Sequence, residues 1–107
     1  MPAKYLVKIT RHAEEDIGFI DTYIHRDSPQ AALDFVSELE RQVSTLERFP
    51  LRCAAIPETP ELGGSYRHLL YGEYRTIFRV SGKTVYVLRV IHGARLLDLN
   101  ALEPNRR

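Results

Sequence analysis

The chain has 107 residues, fifteen Lys/Arg against fourteen Asp/Glu, and a formal net charge of +1. That length fits one domain with a core large enough to fold without a metal or a disulfide. The near-zero total excludes a strongly basic nucleic-acid binder and an acidic disordered tail. Cys53 is the only cysteine, so an internal disulfide is impossible and a reducing cytoplasm is the expected location. No apolar run approaches the ~20 residues that span a bilayer, and the opening Met-Pro-Ala-Lys has no apolar signal-peptide stretch.

Tyr5, Val7 and Ile9 alternate with Lys4, Leu6 and Lys8, the pattern of a first strand. Thr10 is placed to cap a helix, with Glu14, Glu15 and Asp16 where the helix dipole favours anions. Ala13, Ile17, Ile20 and Ile24 recur at helical spacing, predicting a helix over 11–26. Ser28-Pro29 starts a second helix. Its stripe of Ala32, Phe35, Leu39, Val43 and Leu46 is expected to run on to Phe49, with Pro50 ending it. The short joint Arg26-Asp27 makes the two helices an antiparallel hairpin.

Residues 50–65 hold three prolines and two glycines and read as a loop, with a short extended piece at 52–56. Three β-rich runs follow, Tyr66–Tyr71, Glu73–Val80 and Thr84–His92, with turns at Gly72 and Ser81-Gly82. The Leu-rich start and polar end of the last stretch predict a short helix or docking segment with a frayed tip. The class is therefore α+β: a mainly antiparallel sheet with a helical hairpin on one face and the other face open.

The charge is unevenly spread. Residues 1–50 carry six basic and nine acidic residues, a balance of −3, and residues 51–107 carry nine and five, a balance of +4. Residues 66–95 hold Arg67, Arg75, Arg79, Lys83, Arg89 and Arg95 against Glu73 alone. A three-residue Ser81-Gly82-Lys83 loop would pair Val80 with Thr84, Phe78 with Tyr86, Thr76 with Leu88 and Tyr74 with Val90 on the helix side. The opposite face would then set Arg75 against Arg89 and Arg79 against Val85, around Ile77 and Val87. Two arginines across one ladder repel, and an anionic partner would relieve them. A two-residue turn would instead slide the register by one and put Arg89 on the helix face.

No metal-ligand spacing appears among His12, His25, His68 and His92, and no phosphate loop or Gly-x-Ser-x-Gly elbow is present. No cofactor is expected. Cys53, flanked by apolar residues, reads as a small buried side chain. Arg75, Arg79 and Arg89 with His92 could in principle neutralise and protonate a phosphate in RNA cleavage. The plainer reading is a set of sheet arginines beside a strand-end histidine.

The run Tyr66-Arg67…Glu73-Tyr74-Arg75-Thr76-Ile77-Phe78-Arg79-Val80 and the run Val85-Tyr86-Val87-Leu88-Arg89-Val90-Ile91-His92-Gly93-Ala94-Arg95 resemble the second half of a RelE/ParE-superfamily toxin from a bacterial type II toxin–antitoxin module. The first half agrees in outline, so the resemblance covers about residues 5–98 as a single toxin domain. RelE-like members are ribosome-dependent mRNA endoribonucleases, which would make Arg75, Arg79, Arg89 and His92 catalytic. ParE-like members, associated with plasmid stabilisation, bind and inhibit DNA gyrase and lack that catalytic set. After His92 the chain has neither a Tyr nor a second His, and His92-Gly93-Ala94-Arg95 is similar to the ParE branch. The resemblance implies gyrase inhibition by binding, with His92 and Arg95 toward the target. It also implies an antitoxin whose acidic amphipathic segment meets Arg75, Ile77, Arg79, Val87 and Arg89 in a hetero-oligomer.

Overall fold

A computed structural model describes residues 4–57 and 66–93. Strand β1 (Leu6–Ile9) is followed by helix α1 (Arg11–His25), helix α2 (Pro29–Thr45), a single 3-10 turn at Pro50–Arg52, and strands β2 (Tyr66–Tyr71), β3 (Tyr74–Ser81) and β4 (Thr84–His92). The sheet order is β1-β4-β3-β2, with β1 parallel to β4 and the remaining pairs antiparallel. This is the α+β class expected from the sequence. Among the described residues no helix is long and apolar enough to cross a membrane. The stretch that holds Arg95 and the anticipated terminal helix lies outside the described residues.

Both helix starts follow from their first residues. The Thr10 hydroxyl accepts from the Ala13 N–H and that of Ser28 from the Ala31 N–H, each satisfying a donor the helix leaves unpaired. Helix α2 stops at Thr45, four residues short of the Phe49 predicted from its stripe. The Ser44 and Thr45 hydroxyls donate back to the carbonyls of Arg41 and Gln42 and weaken the ladder there. Leu46 still reaches the core, whereas Phe49 is exposed.

The β3–β4 hairpin corrects the expected pairing. Its turn has two residues, Gly82 and Lys83, so Ser81 pairs with Thr84, Val80 with Val85 and Arg79 with Tyr86. Gly82 takes φ +59°, the left-handed position a tight hairpin turn needs and a Cβ disfavours. The one-residue slide turns Val85 and Val87 toward the helices, where they pack with Ala13, Leu46 and Phe78. A β-bulge then shifts the register between Ile77 and Phe78, so Ile77 pairs with Arg89 while Phe78 pairs with Val87. Beyond it Val90 packs with Phe35 and Leu39, back under the helices. Arg75 therefore opposes Ile91, and the expected Arg75–Arg89 pair does not form.

The second face of the sheet is only partly open. Residues Ala54–Ile56 run along the outer edge of β2: the Ile56 N–H donates to the Tyr66 carbonyl and the His68 N–H to that of Ala54. This brings Ile56 onto the face away from the helices, where it clusters with Tyr66, Ile77, Leu88 and Ile91, all buried.

Candidate functional site

The register decides what each candidate side chain can do. Arg89 is turned to α1, where its Nε and Nη2 donate to the two carboxylate oxygens of Asp16 at 2.6 and 3.0 Å. This is a bidentate pair, and both side chains are about one-sixth exposed (16% and 17%). Asp16 also accepts from the Val90 N–H at 3.0 Å. Strand β1 ends at Ile9, and Thr10 donates its N–H and its hydroxyl to the Val87 carbonyl at 3.0 and 2.8 Å. Asp16 then takes up a β4 donor that β1 is too short to reach. Sequence periodicity marked Asp16 as a dipole-compensating residue and missed this role, because it depends on where β1 ends.

Arg75 is 5% exposed. Arg79 lies on the face away from the helices with its guanidinium 4.8 Å from the centre of the Tyr86 ring, a cation–π contact. The same cross-strand row holds Tyr66 on β2 and the exposed Lys8 on β1. Ile77 is fully buried on that face, and Val87 is fully buried on the opposite one.

His92 pairs across the ladder with Tyr74, whose ring it meets edge-on at 5.7 Å. Its Nε2 is 3.2 Å from Glu73 Oε1, and both groups are substantially exposed. Burial pushes the Tyr74 phenol above its ordinary pKa, with Tyr23 and Glu73 adding to the effect. Burial likewise raises the Cys53 thiol, partly offset by Arg52 and Arg67. The Arg67 Nη1 donates to the Cys53 carbonyl at 2.6 Å, tying the loop to β2.

The four nuclease candidates do not converge. Arg79 lies five residues along β3 from Tyr74, the partner of His92, which separates them by roughly 17 Å at ~3.3 Å per residue. They also project from opposite faces, because the Tyr74 side packs against Phe35 and the helices while the Arg79 side carries Tyr66 and Tyr86. Among the described residues, no group of three or more His, Cys, Asp or Glu is arranged to hold a metal ion.

The opposite edge of the sheet offers a different kind of site. Among the described residues, strand β1 pairs only with β4. Leu6 and Thr10 donate inward to Lys83 and Val87, so by strand alternation the N–H and C=O groups of Val7 and Ile9 point outward. Tyr5, in the same phase, is capped by the Glu47 carbonyl at 2.8 Å. Beside this edge lies an apolar cleft of about 340 Å³ between β1 and the helices, walled by Val7, Ile9, Ile17, Val36, Leu39 and Val43. Leu6 and Ile9 are exposed. The sequence displayed these residues as an ordinary strand, and only the sheet order shows that the strand is an edge.

The sequence model of the ParE toxin family, described as the ParE toxin of the parDE type II toxin–antitoxin system, matches residues 7–97. Among solved structures, the chain resembles one from the chromosomal ParDE toxin–antitoxin system of P. aeruginosa. The two are 30% identical with a TM-score of 0.66 over 83% of this chain and 96% of that one. It also resembles a chain of the toxin–antitoxin complex RelBE2 from Mycobacterium tuberculosis, at 26% identity and a TM-score of 0.54 over 84% and 99% of the respective chains. No curated protein sequence matches it. With the family pattern running through both helices and all four strands of a β1-β4-β3-β2 sheet, the chain belongs to the ParE toxin family of type II toxin–antitoxin systems.

Proposed function

We propose that this chain acts by binding and inhibiting DNA gyrase in the bacterial cytoplasm, and that a cognate antitoxin neutralises it in a hetero-oligomer. The scatter of the nuclease candidates carries the reading. Arg89 is engaged by Asp16, Arg75 is buried, and Arg79 and His92 are roughly 17 Å apart on opposite faces. A ribonuclease needs its base, acid and phosphate-neutralising cation around one scissile bond. A protein that acts by binding has no such requirement. The solvent-facing His92, at the end of β4 and running into Arg95 in sequence, remains the target-facing pair of this reading.

The antitoxin part of the reading draws on the β1 edge. An extended antitoxin segment pairs with the outward backbone groups of Val7 and Ile9 and sets apolar anchors into the adjoining cleft, the strand-addition mode of recognition. Its carboxylates reach Lys8 and Arg79, which share one row on the far face. This revises the contact set expected from the sequence: Ile77 and Val87 are buried in opposite layers, and Arg89 is held by Asp16. Both solved relatives come from toxin–antitoxin systems.

A supercoiling assay tests the target. Purified chain is expected to block ATP-dependent supercoiling of relaxed plasmid by gyrase, and an equimolar amount of its cognate antitoxin to restore it. Undiminished supercoiling at saturating toxin would remove gyrase as the target.

A further inference from the structure

The outer face of α1 carries features that neither the core nor the β1 edge uses. Phe19 is 80% exposed and Tyr23 61% exposed, an unusual display for two aromatic residues on one helix of a small domain. Gly18 sits beside them in the helix interior, where glycine weakens a helix relative to alanine. Nothing inside the molecule calls for it: a Cβ there would meet no atom within 4 Å, and its φ is not positive. The Thr22 hydroxyl donates to the Gly18 carbonyl at 2.9 Å, so covering this face would orphan no hydroxyl. Gly18, Phe19, Thr22, Tyr23 and Arg26 together line a shallow groove.

Glu15 and Arg26 close the two ends of this face. Both are exposed, and neither takes part in an ion pair among the described residues. Glu15, Phe19, Thr22 and Arg26 follow one another at spacings of four, three and four, the seam of a helix that packs against another helix. The seam is self-complementary. In an antiparallel pair of α1 helices related by a two-fold axis at the level of residues 20 and 21, Glu15 of one copy lies opposite Arg26 of the other. Phe19 then flanks Tyr23 of the second copy. On the other side of the seam Gly18 flanks Thr22, where the absent side chain lets the two backbones approach. All three pairings are centred at the same level to within half a residue.

We infer that the outer face of α1 is a self-association surface whose occupant is the α1 helix of a second copy of this chain. The contact is isologous, so each charge pair occurs twice. It leaves the β1 edge and its cleft uncovered, and it stands or falls independently of the gyrase and antitoxin reading.

Sedimentation equilibrium of the full-length chain over a wide concentration range tests the inference. Wild-type chain is expected to show a reversible monomer–dimer equilibrium. Glu15→Arg and Arg26→Glu each place like charges at both symmetry-related contacts and should each weaken dimerisation roughly tenfold or more. The double variant Glu15→Arg/Arg26→Glu restores opposite charges and the dimer. An equimolar mixture of the two single variants should form a mixed dimer while each alone stays monomeric, a result a contact with any other protein would not give. Gly18→Leu has open space in the monomer, so it should keep the native circular dichroism spectrum and lose the dimer. A chain monomeric at every soluble concentration would overturn the inference, and so would a dimer indifferent to these charge reversals.

Discussion

Replacing Asp16 with alanine removes three hydrogen bonds at one stroke: two from Arg89 and one from the Val90 N–H. Breaking a buried ion pair costs about 3–5 kcal/mol, because the surviving charge is left without compensation. Asp16 and Arg89 retain about one-sixth exposure, so water recovers part of that, and about 2 kcal/mol is the reasonable share here. The stranded Val90 N–H adds roughly 1 kcal/mol, the low end for an orphaned donor beside a sheet edge. The expected loss is therefore about 3 kcal/mol, or a fall in Tm on the order of 12–20 °C for a domain of this size. Chemical denaturation with a double-mutant cycle measures it. Arg89→Met combined with Asp16→Ala should restore about 2 kcal/mol relative to the sum of the single changes, since both halves of the ion pair are then removed together. Strict additivity, or a loss below about 1 kcal/mol for Asp16→Ala, would refute the assignment of Asp16 as the residue that completes the β4 edge.

Ile9→Asp places a charge where the β1 edge meets the apolar cleft and should weaken antitoxin binding by about 2 kcal/mol, some thirtyfold, with native circular dichroism retained; Arg79→Glu should act in the same direction through rate of association. Calorimetric titration checks both, and unchanged affinity for Ile9→Asp would move the antitoxin away from this edge. Cys53 should resist iodoacetamide in the native state at neutral pH, because burial holds its thiol protonated, and react at least tenfold faster in denaturant. The sign of its pH linkage follows: the folded thiol keeps its proton to higher pH than the unfolded one, so its contribution is full below about pH 8.5 and falls as the pH rises above that. Equal alkylation rates in the two states would count against burial.

Local chemistry made most of the fold legible. Thr10 and Ser28-Pro29 mark helix starts because a hydroxyl and a fixed φ act within one turn. The boundaries of β2 and β4 coincide with the edges of their β-rich runs. Pairing was harder to read, because a hairpin's register turns on a single residue of loop length. Gly82 marked the turn correctly, yet counting Ser81 into the loop moved Val85 and Val87 to the wrong face. The bulge opposite Ile77 and Phe78 then returned Val90 to the expected face, so the error was confined to the part of β4 from Thr84 to Arg89. Arg89 was displaced by the same shift, from an imagined clash with Arg75 to the carboxylate of Asp16, 73 residues earlier in the chain. Nothing in the local pattern joins those two residues.

The surroundings of the candidate contact residues were hard to read for a related reason. A basic stretch in sequence is a statement about charge along the chain, whereas a docking surface depends on which edges and faces the topology leaves uncovered. Among the described residues the sheet has two outer edges. That of β2 is covered by Ala54–Ile56, which also brings Ile56 onto the face away from the helices. That of β1 keeps the backbone groups of Val7 and Ile9 directed outward beside an apolar cleft. An uncovered edge strand is a standing template for pairing with another chain, and proteins that persist as monomers blunt such edges. Under the proposed antitoxin contact a toxin has no need to, since the partner itself would be the cover. The near-neutral net charge agrees with that division of labour: of the sheet arginines, Arg89 is spent on Asp16, Arg75 is buried, and Arg79 lies over Tyr86. On the reading proposed above, recognition at this edge rests on backbone pairing and apolar anchors, with charge supplying orientation and rate.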